Sequence, residues 1–435
     1  MKLRSLLLAS TMVLGALGCS SKDDKPSDDG MGGEGPGPSG EGGAGGEADP
    51  GEQVLQLFSW WKAPGEAEAL RALKDTYTAK YEGARVAEQA TPTAGTWQEE
   101  LAARIDDSPW DVCQMSASDL TKFLEDHPGT LAPLDDVYAA GGLDEDGVMI
   151  DDIKKVVTVD GHPYGVVTGI HRNNAFLYNK QIFDEQGLEP PTTVAEFIEV
   201  SDKLVEAGVT PVASDFDTWV LRILFDEILA GTMGATGFDA FIKGDVKATD
   251  ADVKAQITSA IDTFDKILTD YVDVDRSTAD DYDWTSAAQD LHDGNAAMLF
   301  HGDWAKGYLV YLGWDPGVDF GVLGPPGASD LFVYGADMFV KPSTAPHPAL
   351  AGEFMGVVAS PEGQVAFNSY KGATPMRTDV RDQLDEPGQL SLDGLINAEV
   401  RMPGHANAGW DAGIEAFAKD HDKDALLEVY LTTDP

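Results

Sequence analysis

The residues best suited to chemistry in this sequence are aromatic and polar side chains set close together. Trp60 and Trp61 stand side by side after an apolar run. Trp304 lies in His301-Gly302-Asp303-Trp304-Ala305-Lys306-Gly307-Tyr308, and Trp284 precedes the helical pattern that feeds that segment. A pyranose has apolar C–H faces and a rim of hydroxyls. A site for it pairs flat aromatic rings with a few charged or amide groups that fix the hydroxyls. Any single one of the nine tryptophans is explained as well by core packing. The adjacent pair says more. Side chains alternate along a strand, so Trp60 and Trp61 cannot both point inward, and at a strand-to-helix loop one packs while the other meets a ligand.

Other chemistries have weaker support. The sequence has no glycine loop of the dinucleotide or Walker type, no His-x-x-x-His pair and no Cys/His cluster. No cofactor, metal or catalytic residue is therefore expected. A secreted glycosidase with paired carboxylates is the competing class, but with 75 Asp and Glu any pair can be drawn, so turnover is what separates the two. A surface lipoprotein that holds polysaccharide or senses sugar is a third reading. The 30 Lys and Arg leave a net charge of −45, which argues against nucleic acid and against adsorption to anionic lipid. Hydrophobic residues make up 43% of the 435, enough for a core, and the length allows two or three domains.

The first residues read as an address, not as fold. Residues 1–18 carry Lys2 and Arg4 ahead of an apolar stretch from Leu6 to Leu17, the pattern of a secretory signal. The stretch ends Ala16-Leu17-Gly18-Cys19, which resembles a bacterial lipobox with Ala16 where leucine is usual. In Ser20–Gly51, 27 of 32 residues are Gly, Pro, Ser, Asp or Glu, a composition that cannot bury enough surface to offset chain entropy. Residues 19–51 are thus expected to be a lipidated cysteine followed by a flexible tether. Cys113, within Asp111-Val112-Cys113-Gln114-Met115, reads as a small buried hydrophobe.

The elements that must position the aromatic residues begin as an alternating pattern. Val54 to Phe58 predicts a strand, and Leu70, Leu73, Tyr77 and Tyr81 predict one face of a helix opened by Pro64 and Glu66. Ala84 to Glu88 predicts a second strand. Trp97, Leu101 and Ile105 mark a second helix, and Val112 to Met115 a third strand. This order predicts a parallel sheet covered by helices, with its ligand side at the carboxyl edges of the strands, where Ser59-Trp60-Trp61 and Gln114-Met115-Ser116 fall. Further on, Asp160-Gly161 signals a hairpin, and strands are expected at 175–179, 296–300 and 331–340. Helices are expected over 181–186, 192–207, 217–229, 253–272, 287–293 and 348–359, with Ser360-Pro361 as an N-cap and first helical residue.

Several segments in order resemble one family. They are Leu57-Phe58-Ser59-Trp60-Trp61; Asp111 to Gln114; Gly169-Ile170-His171-Arg172-Asn173-Asn174; His301 to Ala305; Gly335-Ala336-Asp337; Ser360 to Gln364; Asn368 to Gly372; and Gly404-His405. Each is weak alone, but their order and spacing over residues 52–410 resemble the extracellular solute-binding proteins (family 1) of bacterial carbohydrate ABC importers, in the glucose-binding branch. The resemblance implies a periplasmic-binding-protein-like α/β fold, two lobes with a ligand cleft and hinge between them. It implies an N-terminal lobe of residues 52–160 plus about 305–345, and a C-terminal lobe of about 161–304 plus 346–435. Carried over by position, Trp60, Trp61, Trp284 and Trp304 would give aromatic surface, and Glu66, Gln114, His171, Asp337, Lys371 and His405 would bond hydroxyls. Without the resemblance, Glu66 is explained by a helix N-terminus, His171 and His405 by structural histidines, and Asp337 with Lys371 by a surface ion pair. Asp303 is explained as a residue that organises its loop. Ser116 departs from the pattern, because the family tends to have a basic side chain there; a long donor is lost and the identity of the sugar is left open.

The implied mechanism is capture. A free monosaccharide, glucose first among hexoses, enters an open cleft. The lobes close by a hinge because the ligand touches both only when shut. The closed form docks on the ABC permease subunits in the membrane. The expected protein is an exported monomer, lipid-anchored through Cys19 to a bacterial membrane and facing the periplasm or the exterior.

Overall fold

A computed structural model describes residues 54–90, 101, 103–405 and 407–435. The expected signal, Cys19, the tether and Trp97 lie outside the described residues.

Two sheets organise the chain. The first contains β1 (Val54–Ser59), β2 (Arg85–Ala90), β3 (Val112–Ser116), β6 (Gly165–Arg172), β11 (Leu331–Val340) and β12 (Val400–Pro403), in the order β12-β11-β3-β1-β2, with β6 also paired to β11. The strands β1, β2 and β3 are parallel, as the alternating pattern predicts. Antiparallel β11 then joins β3 and β6, so the sheet as a whole is mixed. The second sheet runs β10 (Phe320–Leu323), β7 (Ala175–Asn179), β9 (Ala296–His301), β8 (Thr210–Ala213). A two-residue hairpin joins β4 (Thr158–Val159) to β5 (His162–Pro163). Asp160 (φ 51°) and Gly161 (φ 85°) both take the left-handed conformation that such a turn needs.

The helices that matter most for the site are α1 (Glu66–Lys80), α2 (Val194–Glu206), α3 (Thr218–Met233), α4 (Ala251–Lys266), α5 (Trp284–Asp293), α6 (Trp304–Tyr311), α7 (Pro348–Val358), α8 (Pro361–Lys371), α9 (Ala408–Asp420) and α10 (Lys423–Thr432). In α1, Leu70, Leu73 and Tyr77 are buried on one face, as their spacing predicts. Thr193 caps α2 by accepting from the amide of Glu196, and Ser360 caps α8 by accepting from that of Gly363. Cys113 is buried in β3, and burial pushes its thiol well up.

Each sheet has its own apolar core. The first core joins β1, β3, β6 and the later part of β11 to α1, α7 and α8, through residues such as Phe58, Leu70, Phe339, Phe354 and Phe367. The second joins β9, β12 and the start of β11 to α2, α3, α4, α9 and α10, through Phe197, Phe225, Phe264, Trp410 and Tyr430. A smaller cluster of Leu177, Leu291, Leu299, Leu309 and Phe320 seats α5 and α6 on the second sheet.

The segments divide between the sheets differently from the expected boundaries. Strand β6 and helices α7 and α8 were expected in the C-terminal lobe but pack into the first core. Helix α6 and strand β10 were expected in the N-terminal lobe but belong to the second sheet. The apolar spacing of a helix states that it has a buried face but not which sheet that face covers.

The chain passes from the first sheet to the second after Arg172 and returns to the first before β11. These passages are tied together. Arg172 Nη2 donates to the carbonyls of Ser329 (3.0 Å) and Leu331 (2.7 Å), Asn174 Nδ2 donates to Leu331 O (3.0 Å), and the amide of Val333 donates to Asn174 Oδ1 (3.0 Å).

Candidate functional site

A cleft of about 810 Å³ opens between the two sheets. Ten of the eleven expected site residues line it: Trp60, Trp61, Glu66, Ser116, His171, Trp284, Trp304, Asp337, Lys371 and His405.

The wall on the first sheet is built at the carboxyl ends of β1 and β3. Trp61 is only 1% exposed; its ring packs 4.8 Å from Phe367 and 5.6 Å from Phe339, centre to centre. Trp60 is half-buried, so one of the pair packs and the other is presented. Gln114 departs from its expected position. It is fully buried behind the wall and does not line the cleft. Its Oε1 accepts from Ser59 Oγ (2.7 Å) and from the Trp60 amide (3.1 Å), which fixes the loop carrying the two tryptophans, while its Nε2 has no partner. Ser116, in register with Asp337 on β11, lines the cleft with its short hydroxyl.

The charged residues of this wall are linked in a way the sequence did not indicate. Lys371 Nζ is 2.9 Å from Glu66 Oε1, so its partner is Glu66 and not Asp337. His171 lies between two acids, with Nδ1 2.8 Å from Asp303 Oδ1 and Nε2 3.5 Å from Asp337 Oδ2. An imidazole with a carboxylate at each nitrogen is favoured as the cation. Burial and Lys371 push its pKa down, but Asp303 and Asp337 outweigh them and hold it above the ordinary value. Asp303 also accepts from the amide of Arg172 at 2.9 Å, so it joins the loop after β9 to the end of β6. A register shift between β6 and β11 falls at Asp337, where a bulge re-aims side chains.

The opposite wall is aromatic. His301, at the end of β9, is fully buried, with Trp219, Trp284 and Trp304 at 5.2, 5.6 and 5.1 Å between ring centres. Burial drives its pKa down to about 3, so it is a neutral spacer between indoles. Trp304 folds back over Gly302. A β-carbon there would come within 2.0 Å of the indole, so any other residue would displace the ring.

Three glycines bring the walls together. Gly307 in α6 lies so close to the end of α8 that a β-carbon would be 2.6 Å from the carbonyl oxygen of Tyr370. One on Gly372 (φ +81°) would be 2.7 Å from the amide nitrogen of Gly307, and one on Gly65 (φ +86°) would be 3.1 Å from its carbonyl carbon. This close approach sets Trp304 beside Glu66 and Lys371.

Sequence reasoning missed Asn173, Asp119 and Tyr334, which also line the cleft, and Trp219, which backs it. Asn173 sits inside a segment already singled out. Trp219 opens α3 with no local mark beyond its residue type.

The family model for bacterial extracellular solute-binding proteins matches residues 54–365. The chain is a bacterial extracellular solute-binding protein. Relatives of this solute-binding protein include an ABC transporter extracellular-binding protein of Pyrococcus horikoshii, 31% identical over 88% of this chain and 85% of the relative. A probable sugar-binding periplasmic protein of Brucella melitensis is 32% identical over 80% of this chain and 81% of the relative. Among solved structures, the solute receptor AcbH, described as preferring β-D-galactopyranose, superposes with a TM-score of 0.71 at 20% identity, covering 87% of this chain and 97% of the other. At that identity the likeness establishes the fold. Members of the family are receptors and not enzymes, which sets aside the glycosidase reading. No helix among the described residues of this solute-binding protein is long and apolar enough to cross a membrane.

Proposed function

We propose that this protein captures a monosaccharide, with glucose first among hexoses, and delivers it to the permease of an ABC importer. The observation that carries the reading is the pairing of walls. An aromatic surface from Trp284 and Trp304 faces a polar surface holding Glu66, His171, Asp337 and Lys371 across one cleft. The first suits the C–H faces of a pyranose and the second its hydroxyls. The printed name of the Brucella melitensis relative, a sugar-binding protein, supports the same class. Binding closes the cleft because the ligand meets both walls only in the closed form, and the closed form is what the permease subunits receive. Cys19 carries a lipid, the following segment is a tether, and the receptor works as a monomer at the outer face of a membrane. The hydroxyl-bonding set is Glu66, His171, Asp337, Lys371 and His405, with Ser116 shaping the space beside Asp337.

Isothermal calorimetry of the purified protein against glucose, galactose, mannose, xylose and maltose tests this. One-to-one binding of a hexose that is recovered unchanged, and lost in Asp337→Ala, supports it. Binding of maltose but of no monosaccharide overturns the monosaccharide reading, and labelled lipid absent from a Cys19→Ala variant but present on the natural chain tests the anchor.

A further inference from the structure

Beside the main cleft lies a second cavity of about 190 Å³, and Asn173, Trp304, Gly404 and His405 line both. One side is apolar, with Trp219, Phe238, Leu331 and Val333. The other is a stripe along α3. Arg222, Ile223, Asp226, Glu227 and Ala230 recur at helical spacing and all line the cavity.

The carboxyls of that stripe lack hydrogen-bond donors within the protein. Glu227 is 2% exposed and neither carboxyl oxygen has a hydrogen-bond partner. Asp226 Oδ1 has none either, and its Oδ2 lies 3.4 Å from His405 Nε2 without the alignment of a hydrogen bond. Arg222 is turned elsewhere: Nη1 donates to the carbonyl of His405, and Nε sits 3.1 Å from Asp411 Oδ1. The guanidinium of Arg172 is held by the carbonyls of Ser329 and Leu331. The imidazole of His405 and two guanidiniums engaged elsewhere, Arg172 and Arg222, therefore face Asp226, Glu227 and Asp411, and none of them donates to Glu227. A buried carboxyl without a donor is costly, and native proteins seldom keep one without a use. Burial holds both Asp226 and Glu227 above their ordinary range; His405 and Arg222 offset it only in part for Asp226, and Arg172 only in part for Glu227.

A neutral hydroxyl would offer such carboxyls one donor and no charge. An ammonium offers three donors and a positive charge. We propose that this cavity is a subsite for an amine-bearing group of the ligand, held by Asp226 and Glu227 while a sugar ring occupies the main cleft. The ligand class is then a basic saccharide, with its ammonium on the bound ring or on a second linked ring that passes Trp304 and His405. This rests on the reading of the main cleft as a sugar site.

Calorimetry on matched pairs tests it, at a pH where the amine is protonated: glucose against glucosamine, and cellobiose against the β-1,4-linked glucosamine dimer. The expected result is that the amine member of at least one pair binds about tenfold tighter or more. In Glu227→Gln that ratio should fall below about threefold, and Asp226→Asn should lower it in the same direction. Equal or tighter binding of the neutral member in both pairs overturns the subsite and leaves the sugar reading standing. So does a ratio that survives both substitutions in variants with natural thermal unfolding. If Glu227→Gln does not fold, Asp226→Asn alone decides. Failure of all four sugars to bind overturns the sugar reading itself, and the subsite with it.

Discussion

The two walls of the cleft are built on opposite terms. The wall on the first sheet is charged and cross-linked: Glu66 holds Lys371, and His171 is held between Asp303 and Asp337. The wall on the second sheet is nearly free of such links. It is a stack of indoles around His301, which burial keeps neutral. A charged group is fixed by its partners, and it discriminates because leaving it unpaired is costly. An indole is fixed by packing, and it accepts any flat apolar face. The first wall is thus suited to choosing a ligand and the second to holding one.

The sharpest break in that contrast is Trp61, which belongs to the charged wall but is packed like a core residue. Trp61→Ala should lower stability by about 3–5 kcal/mol, read from urea unfolding. An unchanged midpoint would mean that Trp61 serves the ligand and not the wall. Next is Asp337→Ala, expected to weaken hexose binding by about 10- to 100-fold in calorimetry with little change in unfolding, since it removes a charge-assisted acceptor at a half-buried position. Trp304→Ala should weaken every sugar by a similar, smaller factor of about 3 to 10 without altering their order. If it reorders them, the aromatic wall also selects.

The last expected effects are on pH dependence, where the two histidines should pull in opposite directions. The folded pKa of His301 is depressed to about 3 from 6.5, so the unfolded chain takes up that proton first. Its contribution is complete above about pH 6.5 and is lost as the pH falls toward 3. The folded pKa of His171 is raised, so its contribution is complete below about pH 6.5 and is lost as the pH rises through the folded value. Melting temperatures across pH should show less acid loss in His301→Phe and less alkaline loss in His171→Gln than in the natural chain. Parallel profiles for all three proteins would sink both assignments.

The same contrast explains what could be read from the sequence. Strands β7 and β11 are bounded as the apolar runs predict, and Ser360 caps α8 as its neighbours predict, because these are local matters of period and hydrogen bonding. The aromatic pair at Trp60 and Trp61 was legible too, since two adjacent side chains just past the end of a strand cannot both turn inward. The partner of Lys371 was not legible. Glu66 is 305 positions away, and either Glu66 or Asp337 satisfies a charge. Gln114 was placed in the site by its position in a motif, but a buried amide that braces a loop looks the same in sequence as one that meets a ligand. Trp219 and the acidic stripe of α3 were missed because α3 is apolar on much of its surface. Only the fold shows that Asp226 and Glu227 face a cavity and not solvent.

The meeting of Gly65, Gly307 and Gly372 has a consequence for genetic screens. None of the three has a side chain to offer a ligand, yet a single methyl group at Gly307 would press on the backbone that carries Lys371 and shift the helix that carries Trp304. In a library of variants selected for growth on the transported solute, these positions should be as intolerant as the residues that line the cleft. A map of essential positions would therefore mark as recognition residues three places that set only the spacing between the two halves.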